Sequence, residues 1–206
     1  KNNRFIIPDL RGFGASHNTP HAKACVLTNY AEDIEEIRKG LGIDHFKLAG
    51  ISMGALAALQ YQKLFGESHV EHYLHIDQSP KCRNSETWNW GLFGSANQSR
   101  IERADLLIRA LQPYIVSNSN YSEIPGQLRR ELWKELGDFF ASALSKKHHK
   151  LLARQLCSRE NLARLLMPTE NWIAYMHCLQ AYINNSYDMR PVLKNMTIPL
   201  SVIIGL

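Results

Sequence analysis

Gly50-Ile51-Ser52-Met53-Gly54 stands between a short apolar run, Phe46-Lys47-Leu48-Ala49, and an alanine- and leucine-rich run that opens at Ala55-Leu56-Ala57-Ala58. A serine with glycines two residues before and after it, entered from a strand and left by a helix, is the pattern G-x-S-x-G. So sharp a turn strains its apex residue. Gly50 and Gly54 are expected to lack side chains so that strand and helix can pass close together. The hydroxyl would then stand above a sheet, beside the first N–H groups of a helix. That is the placing a serine needs to attack a carbonyl and to have the resulting oxyanion held.

The surrounding elements are those that would position such a serine. Arg4-Phe5-Ile6-Ile7-Pro8 reads as a short strand, and Asp9-Leu10-Arg11-Gly12-Phe13-Gly14-Ala15-Ser16 as a loop braced by Asp9 and Arg11. No G-x-x-x-x-G-K-S/T follows, which removes a phosphate cradle. Thr28 reads as an N-cap, with Tyr30, Ile34, Ile37 and Leu41 at helical spacing and glycines 40 and 42 closing the helix. A strand over 44–49, a helix to about Gly66 and a strand over 72–76 follow. Each crossover is long enough for a right-handed parallel connection, so the class is α/β with a parallel sheet flanked by helices. From 81 onward the pattern turns helical: a capping box at Ser99-Arg100-Ile101-Glu102, then helices near 126–144, 146–157 and 169–184. The chain returns through Ile198-Pro199 to a strand at Leu200–Ile204. A helical block after a strand's carboxyl end lies where parallel sheets place their sites.

The 206 residues, 45% of them apolar, allow one domain with a large insertion and a sizeable core. No run of about 18 uncharged apolar residues occurs, so no membrane span is expected. The net charge of +5 is local: residues 129–164 hold nine Lys/Arg against four acids. Because the charge is confined to this one stretch, nucleic acid is not an expected partner. Cys25, Cys82, Cys157 and Cys178 are far apart and form no C-x-x-C pair. That disfavours zinc and thioredoxin-type chemistry and favours a reducing compartment, with a cytoplasmic location as the expectation. The first residue is lysine and the last ones read as a strand just finishing, so the sequence is expected to be the middle of a longer protein.

Four blocks, in the right order, resemble the α/β-hydrolase superfamily. Asp9–Ser16 is similar to the loop after its fourth strand and Gly50–Gly54 to its nucleophile elbow. Asp77-x-Ser79-Pro80 is similar to the end of its sixth strand. Asp188-x-Arg190-x-x-Leu193, with Ile198-Pro199 and Val202-Ile203-Ile204-Gly205, is similar to the approach to its seventh. The branch most resembled is that of small esterases and cofactor-free haloperoxidases with a helical cap. The resemblance implies an α/β-hydrolase fold truncated at both ends, with core at 1–80, cap at 81–187 and a return to the sheet at 188–206. It implies Ser52 as the nucleophile of an acyl-enzyme, the Met53 N–H as half of an oxyanion hole, no cofactor, no metal and a small ester or acyl substrate. The family's second oxyanion donor comes from a loop absent from this sequence. Its acid usually follows the seventh strand and its histidine lies later, both beyond Leu206. The 206 residues alone are therefore expected to be nearly inactive.

Other candidates carry two readings each. Asp77 is either a triad acid, as in relatives that place it after the sixth strand, or a cap on the turn into Ser79-Pro80. His69, His72 and His75 read as structural residues of a strand and His148-His149 as solvated; His177, on a cap helix, is a candidate base only with an acid to orient it. Ile51, Trp88, Trp90, Trp172, Tyr175 and Met176 are candidate walls of an acyl pocket, or ordinary packing. Asp188 and Arg190 read as an N-cap and brace. Lys146, Lys147, Lys150 and Arg154 read as a solvated helix face, or as an attractor of anionic substrates. The alternatives to ester hydrolysis are perhydrolysis by the same machinery and a non-catalytic ligand-binding relative.

Overall fold

The structure is a computed structural model that describes residues 4–21, 25–166, 169–183 and 187–205. In chain order its elements are α1 (Val26–Gly40), β1 (Phe46–Ile51), α2 (Met53–Phe65), β2 (Val70–Ile76), α3 (Asn97–Val116), α4 (Gly126–Ser142), α5 (Lys147–Ser158), α6 (Glu160–Leu166), α7 (Trp172–Ile183), α8 (Arg190–Asn195) and β3 (Leu200–Ile203). They fall into two compact units, Lys1–Leu92 with Asn184–Leu206, and Phe93–Ile183. Residues 81–92 thus belong to the unit that holds the sheet.

In the first unit the strands lie in the order β1-β2-β3, all parallel. Ile51 is level with Ile76, and Ile76 with Ile203. Parallel neighbours require a crossover at each step; α2 provides the first. The second contains the whole helical unit and α8. Helix α2 is buried along Ala55–Gln62, which is why its sequence is apolar nearly all round rather than on one stripe. It packs on β1 and on α1, whose buried Val26, Leu27, Tyr30 and Ala31 complete that side of the core.

A buried carboxylate joins α1 to α2. Glu35 accepts hydrogen bonds from Arg38 Nε (2.9 Å) and Nη2 (2.8 Å) and from Tyr61 Oη (3.0 Å). These bonds, the Arg38 pair foremost, hold the Glu35 carboxyl down at about 2. Burial, reinforced by Glu35, pushes the Tyr61 phenol up to about 12. The 9–16 loop is braced as expected: Asp9 Oδ2 accepts the Ala15 N–H at 2.9 Å, and Arg11 reaches α1 to pair with Asp33. Gly14 is required there, because its φ is +51° and a Cβ would lie 2.5 Å from both Asp9 carboxylate oxygens.

Three expectations differ from the structure. The first helix opens at Val26 after an N-cap at Cys25, so Thr28 lies inside its first turn rather than capping it. Residues 4–8 form no strand, and Phe5 and Ile7 are 81% and 89% exposed. A strand exists by its ladder, and this segment pairs with no strand among the described residues. The helix expected to open at a Ser99–Glu102 capping box begins at Asn97 instead. Ser99 therefore lies inside the first turn, where its Oγ donates back to the Ala96 carbonyl at 3.2 Å.

The second unit is helical. Its core joins Leu107 and Leu111 of α3, Leu132 and Trp133 of α4, and Trp172 and Met176 of α7 around Tyr121 and Ile124. The indole N–H groups are satisfied inside it: Trp133 donates to Tyr121 Oη at 2.7 Å and Trp172 to the Ser119 carbonyl at 2.9 Å. On α5, Lys147 and Arg154 are exposed and Lys150 is half-buried. No helix among the described residues is long and apolar enough to cross a membrane.

Candidate active site

Ser52 sits between β1 and α2 with φ +51° and ψ −118°, a conformation that strains any residue with a Cβ. Three things hold it there. Its N–H donates to the Ile76 carbonyl at 3.1 Å, continuing the β1–β2 ladder one residue past the strand. Its own carbonyl accepts the Ala55 and Leu56 N–H groups at 2.9 and 3.3 Å, which starts the helix. Gly50 lets the helix start so close: a Cβ on it would lie 2.5 Å from the Gly54 carbonyl carbon and 2.6 Å from the Ala55 nitrogen. The second glycine differs from expectation. A Cβ on Gly54 meets nothing within 4 Å among the described residues, so the close approach constrains Gly50 and not Gly54.

Ser52 is exposed, and Met53 is the first residue of α2. The first N–H groups of a helix have no partner within it and carry the positive end of its dipole. An anion forming on an atom bonded to Ser52 Oγ would meet that end.

Asp77 ends β2 as Ser52 ends β1, one residue beyond the paired Ile51 and Ile76, and it too has a positive φ, +48°. Its N–H donates to the Ile203 carbonyl at 2.7 Å, and its carboxylate accepts the Gly205 N–H at 3.1 Å. The sheet thus brings Ser52 and Asp77 to the same edge, while the Asp77 carboxylate is engaged in holding the exit of β3.

Under this edge lies a buried link that the sequence reading passed over. Tyr73 Oη is 2.7 Å from His75 Nδ1 and 3.1 Å from the Ala55 carbonyl in the first turn of α2. His75 Nε2 is 2.7 Å from the Gln78 carbonyl, in the turn after Asp77. Burial pushes the Tyr73 phenol well above its ordinary range. The signal was available: residues two apart on a strand share a face, and both side chains are polar on a buried strand.

Four other histidines of this unit have bonds of their own, and His45 has a ring contact with His69. His17 Nδ1 contacts the Gly14 carbonyl and His21 Nε2 the Tyr30 hydroxyl. His69 Nδ1 contacts the Asp44 carbonyl and His72 Nε2 the Ser201 hydroxyl. His177 lies on α7, where burial lowers its pKa.

The candidate pocket residues divide between the two units. Ile51 is 64% exposed beside Ser52. Trp88 is half-buried, its N–H given to the Lys81 carbonyl (3.0 Å) and its ring under the Arg190 guanidinium (5.2 Å). Arg190 in turn pairs with Asp188, which also accepts the Arg190 N–H at 3.1 Å and so braces the start of α8. Trp90 is exposed. Trp172 and Met176 are 3% and 0% exposed within the helical core, and Tyr175 borders a cavity of that unit. Among the described residues no group of three or more His, Cys, Asp or Glu side chains could hold a metal ion. The four cysteines are free thiols.

The family model of the alpha/beta hydrolase fold matches residues 3–112. No curated protein sequence matches the chain. Among solved structures, an esterase from Exiguobacterium antarcticum is similar over 94% of this chain and 59% of its own, at 23% identity and a TM-score of 0.57. The esterase RhEst1 from Rhodococcus sp. ECU1013 is similar over 94% and 58%, at 23% identity and a TM-score of 0.53. A bromoperoxidase from Bacillus anthracis is similar over 95% and 61%, at 18% identity and a TM-score of 0.54. At these identities the likeness is one of fold, and the chain spans about three fifths of the length of each. The family model covers more than half of the chain, including the whole turn around Ser52, and on that ground the chain belongs to the α/β-hydrolase fold family.

Proposed function

We propose that the chain carries the nucleophile of a serine hydrolase that cleaves carboxylic esters or related small acyl compounds. The observation that carries this reading is the backbone of Ser52, strained at φ +51° at the N-terminus of α2 and held from both sides. Strain of this kind persists only where the surroundings over-determine it, and it favours a functional residue. Ser52 Oγ attacks the carbonyl, the Met53 N–H donates to the oxyanion, the alcohol leaves and water releases the acyl group. The general base is assigned to residues outside these 206, as the resemblance implies, the family's histidine following its seventh strand and its acid. Asp77 is the acid candidate within the chain. The test is hydrolysis of p-nitrophenyl esters of graded acyl length by protein that includes the base. Ser52→Ala should lower the rate about 10⁴-fold or more; a variant as active as the parent would refute the assignment.

A second reading, perhydrolysis, is favoured by the likeness of fold to the Bacillus anthracis bromoperoxidase. It uses the same serine with peroxide as acyl acceptor. Peracid formation that outruns hydrolysis when peroxide is added would select it.

A further inference from the structure

The helical unit contains a cavity of about 140 Å³ walled mainly by apolar side chains of α3, α4 and α7, Leu132, Leu136, Phe139 and Leu179 among them. An apolar cavity of about this size holds one benzene ring. Its aromatic wall is already arranged for one. Phe93 and Phe139 meet edge to face with centroids 5.8 Å apart, and Phe139 meets Tyr182 at 5.6 Å, so a further ring would extend the series.

The charges at the wall are unbalanced. Around the half-buried Arg100 are two acids and two further arginines, Glu135, Asp138, Arg103 and Arg154. Each acid is engaged by another arginine: Arg103 Nε donates to Glu135 at 3.0 Å and Arg154 Nε to Asp138 at 2.7 Å. Arg100 is left with the face of Phe93, 4.4 Å from the ring centroid, and has no acid partner among the described residues. Burial pulls its pKa down, opposed by the two acids. A guanidinium that is partly desolvated and lacks a carboxylate beside it calls for an anion from outside.

We infer that this cavity is a binding site for a small arylalkanoate, whose ring fills the apolar space while its carboxylate takes the N–H groups of Arg100. Glu135 also borders the cavity and opposes the ligand's charge, but Arg103 offsets it.

Isothermal titration of the 206-residue chain with 3-phenylpropanoate and with its neutral analogue 3-phenylpropanamide tests this. The carboxylate should bind about tenfold tighter than the amide, the scale of one charge-assisted hydrogen bond. Arg100→Gln, at a half-buried position, should abolish that preference and leave amide binding unchanged. Glu135→Gln should tighten the carboxylate. Ala104→Phe, which fills the cavity, should remove both, with circular dichroism used to verify its fold. Ser52→Ala should leave both affinities unchanged, so the result stands apart from the role of Ser52. Equal affinity for the two ligands, no saturable binding of either, or an Arg100→Gln variant that keeps the preference would overturn the inference.

Discussion

Tyr73 Oη lies 2.7 Å from His75 Nδ1, and through this pair the helix behind Ser52 is tied to the turn after Asp77. The protons on this chain of groups are few. Tyr73 has one hydrogen to share between the Ala55 carbonyl and His75. If the phenol donates to Ala55, then His75 donates from Nδ1 and, with Nε2 facing the Gln78 carbonyl, from both nitrogens. If the phenol donates to His75, Nδ1 accepts and Ala55 keeps only its helical bond. Tyr73→Phe removes the hinge of both arrangements and leaves a buried ring nitrogen unpaired. It should cost about 1–3 kcal/mol in urea denaturation, and His75→Phe a similar amount. A Tyr73→Phe variant as stable as the parent would show that the pair holds nothing.

The two glycines of the elbow should separate under substitution. Gly50→Ala drives a methyl into the Gly54–Ala55 backbone and should cost about 3 kcal/mol or prevent folding. Gly54→Ala meets open space and should shift stability by less than about 1 kcal/mol. Comparable midpoints for both variants would contradict the close approach.

Ser52→Gly should behave oppositely in stability and in reactivity. Glycine adopts φ +51° without strain, so the variant should gain about 1 kcal/mol while losing the nucleophile. Thermal melts of the two proteins measure it; a destabilised Ser52→Gly would mean that the turn is not strained.

Asp77 is tested by the contrast of two variants. Asp77→Asn keeps an acceptor for the Gly205 N–H and should hold stability, whereas Asp77→Ala should lose about 1–2 kcal/mol. In protein that contains the general base, a kcat reduced by about 10⁴ in Asp77→Asn assigns it as the acid. Unchanged kcat assigns it as a brace of β3.

Glu35 sets an acid limit. Its carboxyl is held at about 2 in the folded chain against an ordinary value near 4.5. Protons therefore bind the unfolded chain first as pH falls. The stabilisation by Glu35 is complete above about pH 4.5 and drains away between there and pH 2. Glu35→Gln should flatten this part of the pH–stability curve and cost about 3 kcal/mol at neutral pH, since Arg38 is left half-paired. A parent curve that is already flat from pH 4.5 to 2 would exclude this role.

What the sequence made legible was local. The strand, turn and helix around Ser52 are encoded within about a dozen residues, so pattern alone placed them, and the 9–16 loop and the start of α8 carry their own bracing acids. Non-local features were hidden. Whether 4–8 becomes a strand depends on a neighbouring edge, which a single segment does not encode. Trp172 and Met176 have the composition of a pocket wall and of a core alike, and only packing distinguishes them. The surplus of Arg100 emerges once Glu135 and Asp138 are seen to be taken by Arg103 and Arg154, pairings across 32 and 16 residues.

The central claim is that the fold singles out one serine. Peptide mass spectrometry after exposure of the chain to a fluorophosphonate, with and without added imidazole as a surrogate base, tests it directly. One adduct is expected, on Ser52, formed faster with imidazole and absent from Ser52→Ala. Adducts scattered over several serines, or persisting in Ser52→Ala, would contradict it.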